Sequence, residues 1–122
     1  MTEKTILAVD DSATIREMVA LTLGRGNYRV ITAQDGMDAL EKLKDNQVEL
    51  VITDHYMPRM DGLTLVQTLR SQSATQTIPI LILTTETSPE MKQKGRQAGA
   101  TGWIVKPFHP KTLTEVVKKL IG

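Results

Sequence analysis

Apolar residues recur along this chain with two alternating periods. Short continuous runs such as Ile6-Leu7-Ala8-Val9 and Ile80-Leu81-Ile82-Leu83 have the character of parallel strands covered on both faces. With their flanks and three weaker runs they predict strands over Thr5–Asp10, Tyr28–Ala33, Leu50–Asp54, Ile78–Thr84 and Trp103–Val105. Helical spacing fills the intervals. Ile15, Met18, Val19 and Leu23 mark a first helix, Ala39, Leu40 and Leu43 a second, and Leu65, Val66 and Leu69 a third. Ser88-Pro89-Glu90 reads as a cap, a proline at the first helical position and an early acid, which starts a fourth helix. Its interior, Met91 to Ala98, is weakly apolar and contains Gly95, so it is expected to be the least stable helix. Leu113, Val116, Val117, Leu120 and Ile121 give the clearest periodicity and define the fifth. Asp35-Gly36 has the composition of a hairpin turn, but a helical pattern follows it, so a helix start is expected there.

Strict alternation of strand and helix implies an α/β fold, a doubly wound parallel sheet with right-handed crossovers. A chain of 122 residues fits one domain, expected to span residues 1–122. Its 40% hydrophobic and 24% charged residues are those of an ordinary globular core and surface. The absence of cysteine excludes a disulfide framework, a thiolate metal site and a cysteine nucleophile. The apolar runs are too short to span a membrane, and Met1-Thr2-Glu3-Lys4 leads directly into a strand without a signal-peptide pattern. A cytoplasmic protein is expected. The net charge of +1 gives no reason to expect nucleic-acid binding. The charge is unevenly distributed, however. Residues 1–85 carry 8 Lys and Arg against 11 Asp and Glu, a net −3, whereas residues 86–122 carry 7 against 3, a net +4.

In a doubly wound sheet, ligands bind beyond the carboxyl ends of the strands. Those ends hold Asp10-Asp11, Asp54, Thr84-Thr85 and, after the fifth strand, Lys106-Pro107. Three carboxylates at one edge repel one another and call for a counter-charge. Mg²⁺ prefers oxygen ligands and recruits phosphate oxygens. Together with Lys106 it brings the formal charge of the three aspartates to zero. Phosphoryl transfer needs mainly positioning and charge neutralisation, and a carboxylate can itself be the nucleophile. The hydroxyl of Thr84 and the ammonium of Lys106 suit the remaining phosphoryl oxygens.

In this order and spacing, Val9-Asp10-Asp11-Ser12, Asp54-His55-Tyr56-Met57-Pro58-Arg59-Met60-Asp61-Gly62, Leu83-Thr84-Thr85-Glu86, Ala98-Gly99-Ala100 and Val105-Lys106-Pro107-Phe108 make the whole chain resemble bacterial two-component receiver domains, in particular the stand-alone, CheY-like chemotaxis regulators. The resemblance implies five strands in the order 2-1-3-4-5 with five helices. It also implies that Asp54 is the phosphoacceptor and that Asp10, Asp11, Asp54 and the backbone carbonyl of Tyr56 hold Mg²⁺. Thr84 is then the switch hydroxyl, Lys106 the phosphoryl-binding lysine, and Lys106-Pro107 a cis peptide. Tyr56 and Glu86, each two residues beyond a site residue, flank the path of the hydrolytic water. Trp103 matches the family's switch aromatic, which is usually Tyr or Phe.

The implied function is a self-modifying switch rather than an enzyme. It takes phosphate from a histidine kinase (CheA-like) and acts as a monomer on a protein partner such as a flagellar motor switch component or a phosphatase. The partner surface is expected around Trp103 with Lys92, Lys94, Arg96, Lys111, Lys118 and Lys119, steering an acidic amphipathic segment. A phosphorelay intermediate, or a receiver cut from a larger regulator, remains an alternative. An aspartyl phosphatase would commonly have a second acid two residues beyond its nucleophile. Tyr56 stands there relative to Asp54, and Ser12 relative to Asp10. A flavodoxin-like FMN carrier needs a loop that welcomes phosphate after the first strand, where Asp10-Asp11 would repel it.

Overall fold

The computed structural model describes residues 3–122, so Met1 and Thr2 of the N-terminal tetrapeptide lie outside the described residues. Strands β1 (Thr5–Val9), β2 (Arg29–Ala33), β3 (Leu50–Asp54), β4 (Ile80–Thr84) and β5 (Gly102–Val105) alternate with helices α1 (Ala13–Gly24), α2 (Gly36–Asp45), α3 (Gly62–Ser71), α4 (Pro89–Ala98) and α5 (Pro110–Ile121). The strands form one parallel sheet in the order β2-β1-β3-β4-β5, as the resemblance implied. Boundaries shift by one or two residues. Asp10 lies just beyond β1, although its N–H still donates to the Ala33 carbonyl at 3.1 Å. Pro79 precedes β4, where its missing N–H costs no ladder bond.

The continuous apolar runs are explained by two cores, one on each face of the sheet. Alternate residues of a strand point to opposite layers. Ile6, Ala8, Leu50, Ile52, Leu81 and Leu83 pack with Val19 and Leu23 of α1 and Leu113 and Val117 of α5. Leu7, Val9, Val51, Ile80 and Ile82 pack with Ala39 of α2 and Leu65, Val66 and Leu69 of α3. Every residue of β1, β3 and β4 is buried. Each fully buried Leu or Ile contributes about 1.5–3 kcal/mol. Met18, which helical spacing groups with the apolar stripe of α1, is 43% exposed. The buried stripe of α1 runs along Ile15, Val19 and Leu23, and Met18 lies beside it facing α5.

Side-chain caps start the helices. Ser12, Asp35, Asp61, Ser88 and His109 occupy the N-cap positions, and Asp35-Gly36 does begin α2. α4 buries only Gly95 and ends at Gly99, whose φ of 112° is the left-handed conformation that glycine adopts freely. Gly102 instead opens β5. Arg70, at the end of α3, donates to the carbonyls of Gly99 (2.9 Å), Gln76 (3.1 Å) and Ile78 (2.6 Å), and so ties the approach to β4 to the turn after α4.

Candidate functional site

Parallel register brings the strand ends together. Val9 pairs with Thr53, Asp54 with Leu83, and Thr84 with Val105. Asp10, Asp54, Thr84 and Lys106 therefore stand on neighbouring strands at one sheet edge. Asp10, Asp11 and Asp54 each offer a carboxylate oxygen within 4.8 Å of the other two. Asp10 and Asp54 are buried and Asp11 is exposed, so the cluster opens to solvent on one side.

The site is assembled by hydrogen bonds as well as by topology. The Lys106 ammonium reaches Asp10 Oδ2 at 2.8 Å and Asp54 Oδ1 at 3.2 Å, bridging two strands that are not adjacent to its own. Asp10 Oδ1 accepts from the Ser12 N–H at 2.9 Å, and the Asp10 carbonyl accepts from Arg16 at 2.7 Å. Asp54 Oδ1 also accepts from the His55 N–H at 2.9 Å. Burial, and then the negative charge of Asp10, pushes the Asp54 carboxyl above its ordinary value against the pull of Lys106. Burial works to lower Lys106, but the hydrogen bonds and charges of Asp10 and Asp54 outweigh it and hold the ammonium above its usual range. Two buried carboxylates with one cation between them leave the group electron-rich. Together with Asp11 they fit a hard divalent cation such as Mg²⁺.

Thr84 is buried, and its Oγ1 accepts from the Glu86 N–H at 3.1 Å. The Glu86 carboxylate is turned toward α4, accepting from the Ser88 N–H at 3.3 Å. Tyr56 is 58% exposed, and its ring stands edge-on against His55, with centroids 4.1 Å apart. Among the described residues nothing donates to its carbonyl. The Lys106–Pro107 peptide is cis.

Arg59 and Gly62 lie within the motif from Asp54 to Gly62, but the contacts they make had no signal in the sequence. Arg59, with a left-handed φ of 57°, donates twice to buried Asp35, at 2.8 and 3.0 Å, and clamps the loop after β3 to the start of α2. A Cβ at Gly62 would stand 2.2 Å from the Asp54 carbonyl oxygen, so only glycine lets α3 start so close to the end of β3. Both depend on contacts between segments distant in sequence or on backbone approach.

All six basic residues expected around Trp103 are exposed, but they do not gather at one site, and four of them divide between two concavities. Lys92 and Arg96 line a cleft of about 270 Å³ beside Trp103. Lys111 and Lys118 line a separate groove of about 660 Å³ with Met18 and Leu21. α4 and α5 cover opposite faces of the sheet, which separates the two groups.

Residues 6–118 match the response regulator receiver domain, and the chain belongs to that family. Within the family it is similar to chemotaxis regulators. It is 41% identical to chemotaxis protein CheY1 of Helicobacter pylori over 96% of each chain. It is 38% identical to the chemotaxis protein CheY homolog of Campylobacter jejuni, over 96% of this chain and 92% of that one. The solved structure of Vibrio cholerae chemotaxis protein CheY4 superposes with a TM-score of 0.94 at 48% identity, covering 98% of this chain and all of the other.

Proposed function

We propose that this receiver domain is a phosphorylation-activated switch of a two-component system, with Asp54 as the phosphoacceptor. The observation that carries the reading is the convergence of Asp10, Asp11 and Asp54 within 4.8 Å, with Lys106 bridging two of them. A carboxylate oxygen of Asp54 attacks the phosphorus of a phosphohistidine on a histidine kinase. The P–N bond breaks as the P–O bond forms, and the imidazole leaves with a proton from solvent. Water later attacks phosphorus, releasing inorganic phosphate and restoring the carboxylate.

Asp10, Asp11, Asp54 and the Tyr56 carbonyl are the residues that would hold Mg²⁺. When bound, Mg²⁺ supplies charge neutralisation for the carboxylates and the incoming phosphoryl oxygens. Lys106 orients the Asp54 carboxylate and receives a phosphoryl oxygen. Thr84 releases the Glu86 N–H and turns its hydroxyl to another. Output is the binding of a protein partner, and the chemotaxis relatives favour a flagellar motor switch component. We further propose that the protein acts in the cytoplasm as a monomer that catalyses only its own modification. Among the described residues no helix is long and apolar enough to cross a membrane.

Incubation with acetyl phosphate and Mg²⁺, read by intact mass, should add one phosphoryl group. Labelling of Asp54→Asn, or labelling undiminished in EDTA, refutes the assignment. Stability provides a second reading. Because the folded-state pKa of Asp54 is raised, ionising it costs the folded state more than the unfolded one above the carboxylate range. Metal-free Asp54→Asn should therefore melt higher than wild type at pH 7. The gap should close as pH falls below the carboxylate range, and also when Mg²⁺ is added to wild type.

A further inference from the structure

Gly95 lies in the middle of α4, where glycine weakens a helix relative to alanine, and it is that helix's only buried residue. The space an alanine methyl would need is already filled. A Cβ there would stand 2.6 Å from Cζ3 and 3.2 Å from Cε3 of Trp103, and 3.3 Å from Cδ1 of Ile82. The six-membered ring of the indole thus occupies a notch in α4 that only glycine leaves open. At the other end of the ring, Nε1–H donates to the Glu86 carbonyl at 3.1 Å. The indole is held at both ends.

Glu86 is the centre of a wider set of contacts. Its N–H donates to Thr84 Oγ1, its carbonyl holds Trp103, and its carboxylate accepts from the N–H of Ser88. Ser88 in turn caps α4, with Oγ accepting from the Met91 N–H at 3.2 Å. A rotation of Thr84 that carries its hydroxyl toward a phosphoryl oxygen and away from Glu86 gives up the bond from the Glu86 N–H. One backbone residue therefore links the hydroxyl, the indole and the start of α4.

We infer that Gly95 is a positioning residue for Trp103, and that the pair locks the indole inward. Movement of Thr84 then reaches the surface through Glu86 as a displacement of the loop before α4 and of the first turn of α4, with the ring as a fixed support. Rotation of the ring would break its hydrogen bond and leave the Gly95 notch empty. The part of this inference that involves Thr84 rests on the phosphoryl-switch reading above. The Gly95–Trp103 lock does not.

The test is a four-protein cycle of wild type, Gly95→Ala, Trp103→Phe and the double variant, followed by thermal midpoint. Phenylalanine is smaller than the indole and vacates the notch. In the Trp103 background, Gly95→Ala should lower the midpoint, red-shift the emission of the single tryptophan and increase its quenching by acrylamide. In the Trp103→Phe background, the same substitution should raise the midpoint by roughly 4 °C, the helix-propensity gain of alanine over glycine. Should Gly95→Ala alone fail to fold, a folded double variant melting above Trp103→Phe shows the same reversal of sign. A shift in the same direction in both backgrounds, or failure of the double variant to fold, overturns the lock.

For the switch, wild type with Mg²⁺ and beryllofluoride should show unchanged acrylamide quenching, while amide exchange changes over Ser88–Met91. A marked change in quenching overturns the fixed ring. If ¹⁹F resonances show no beryllofluoride bound, the phosphoryl reading fails and the sign reversal still judges the lock.

Discussion

The loops that follow β3 and β4 emerge at the same sheet edge, one strand apart, and are fastened very differently. The loop after β3 is tied at several independent points. Arg59 grips Asp35, the Gly36 N–H donates to the Met60 carbonyl at 3.2 Å, the Gly62 N–H donates to the His55 carbonyl at 2.8 Å, and Asp61 caps α3. α3 then buries Leu65, Val66 and Leu69. The loop after β4 depends on Glu86, and the helix it enters buries only one glycine. Phosphoryl chemistry needs fixed ligands and a switch needs an element whose alternatives are close in energy. The first loop leaves β3 at Asp54 and carries Tyr56, the second is the one proposed to respond to Thr84, and the contacts of each suit its proposed task.

The comparison breaks most decisively at Gly62. Gly62→Ala sets a methyl group against the Asp54 carbonyl, and the backbone must yield. A loss of about 3 kcal/mol in urea unfolding is expected, with slower labelling by acetyl phosphate. Unchanged stability would mean that the corner after β3 is softer than its contacts imply.

A smaller effect is expected from Asp35→Asn, which keeps a capping oxygen and removes the charge. The hydrogen bonds from Arg59, against the opposing effect of burial, hold the Asp35 carboxyl below its ordinary value. A depressed carboxylate stabilises the fold above its unfolded pKa, and that stability is lost as pH falls through the folded value. The wild-type advantage over Asp35→Asn should therefore be complete above about pH 5 and decline below about pH 4. A gap independent of pH from 3 to 7 would show that the clamp does not act through charge.

The smallest effect sharpens the other side. Ser88→Ala removes the cap of α4 and should cost about 1 kcal/mol. Amide exchange should accelerate in α4 while that in α3 stays at the wild-type rate. Equal acceleration in both helices would merge the two corners into one cooperative unit.

The sequence alone determined the alternation of elements, because burial on both faces leaves continuous apolar strands and one-sided helices. It marked Asp10, Asp11, Asp54, Thr84 and Lys106 by placing each at a strand end, where the topology of any such sheet must gather them. The Ser88 cap and the thin apolar face of α4 were equally local and equally legible. The order of the strands came through resemblance, since no single strand states its neighbour. The exposure of Met18 was not legible, because helical spacing shows which residues share a stripe, and the edge of a stripe meets solvent or core according to the neighbouring helix. Only tertiary structure joined Arg59 to Asp35, turned Glu86 toward both Thr84 and Trp103, and divided the basic residues of α4 from those of α5. It also gave Gly95 its reason, for a glycine that weakens its own helix makes sense only beside the indole that fills its place. Such contacts link residues far apart in the chain, and their energies depend on shapes that exist only after the sheet has formed.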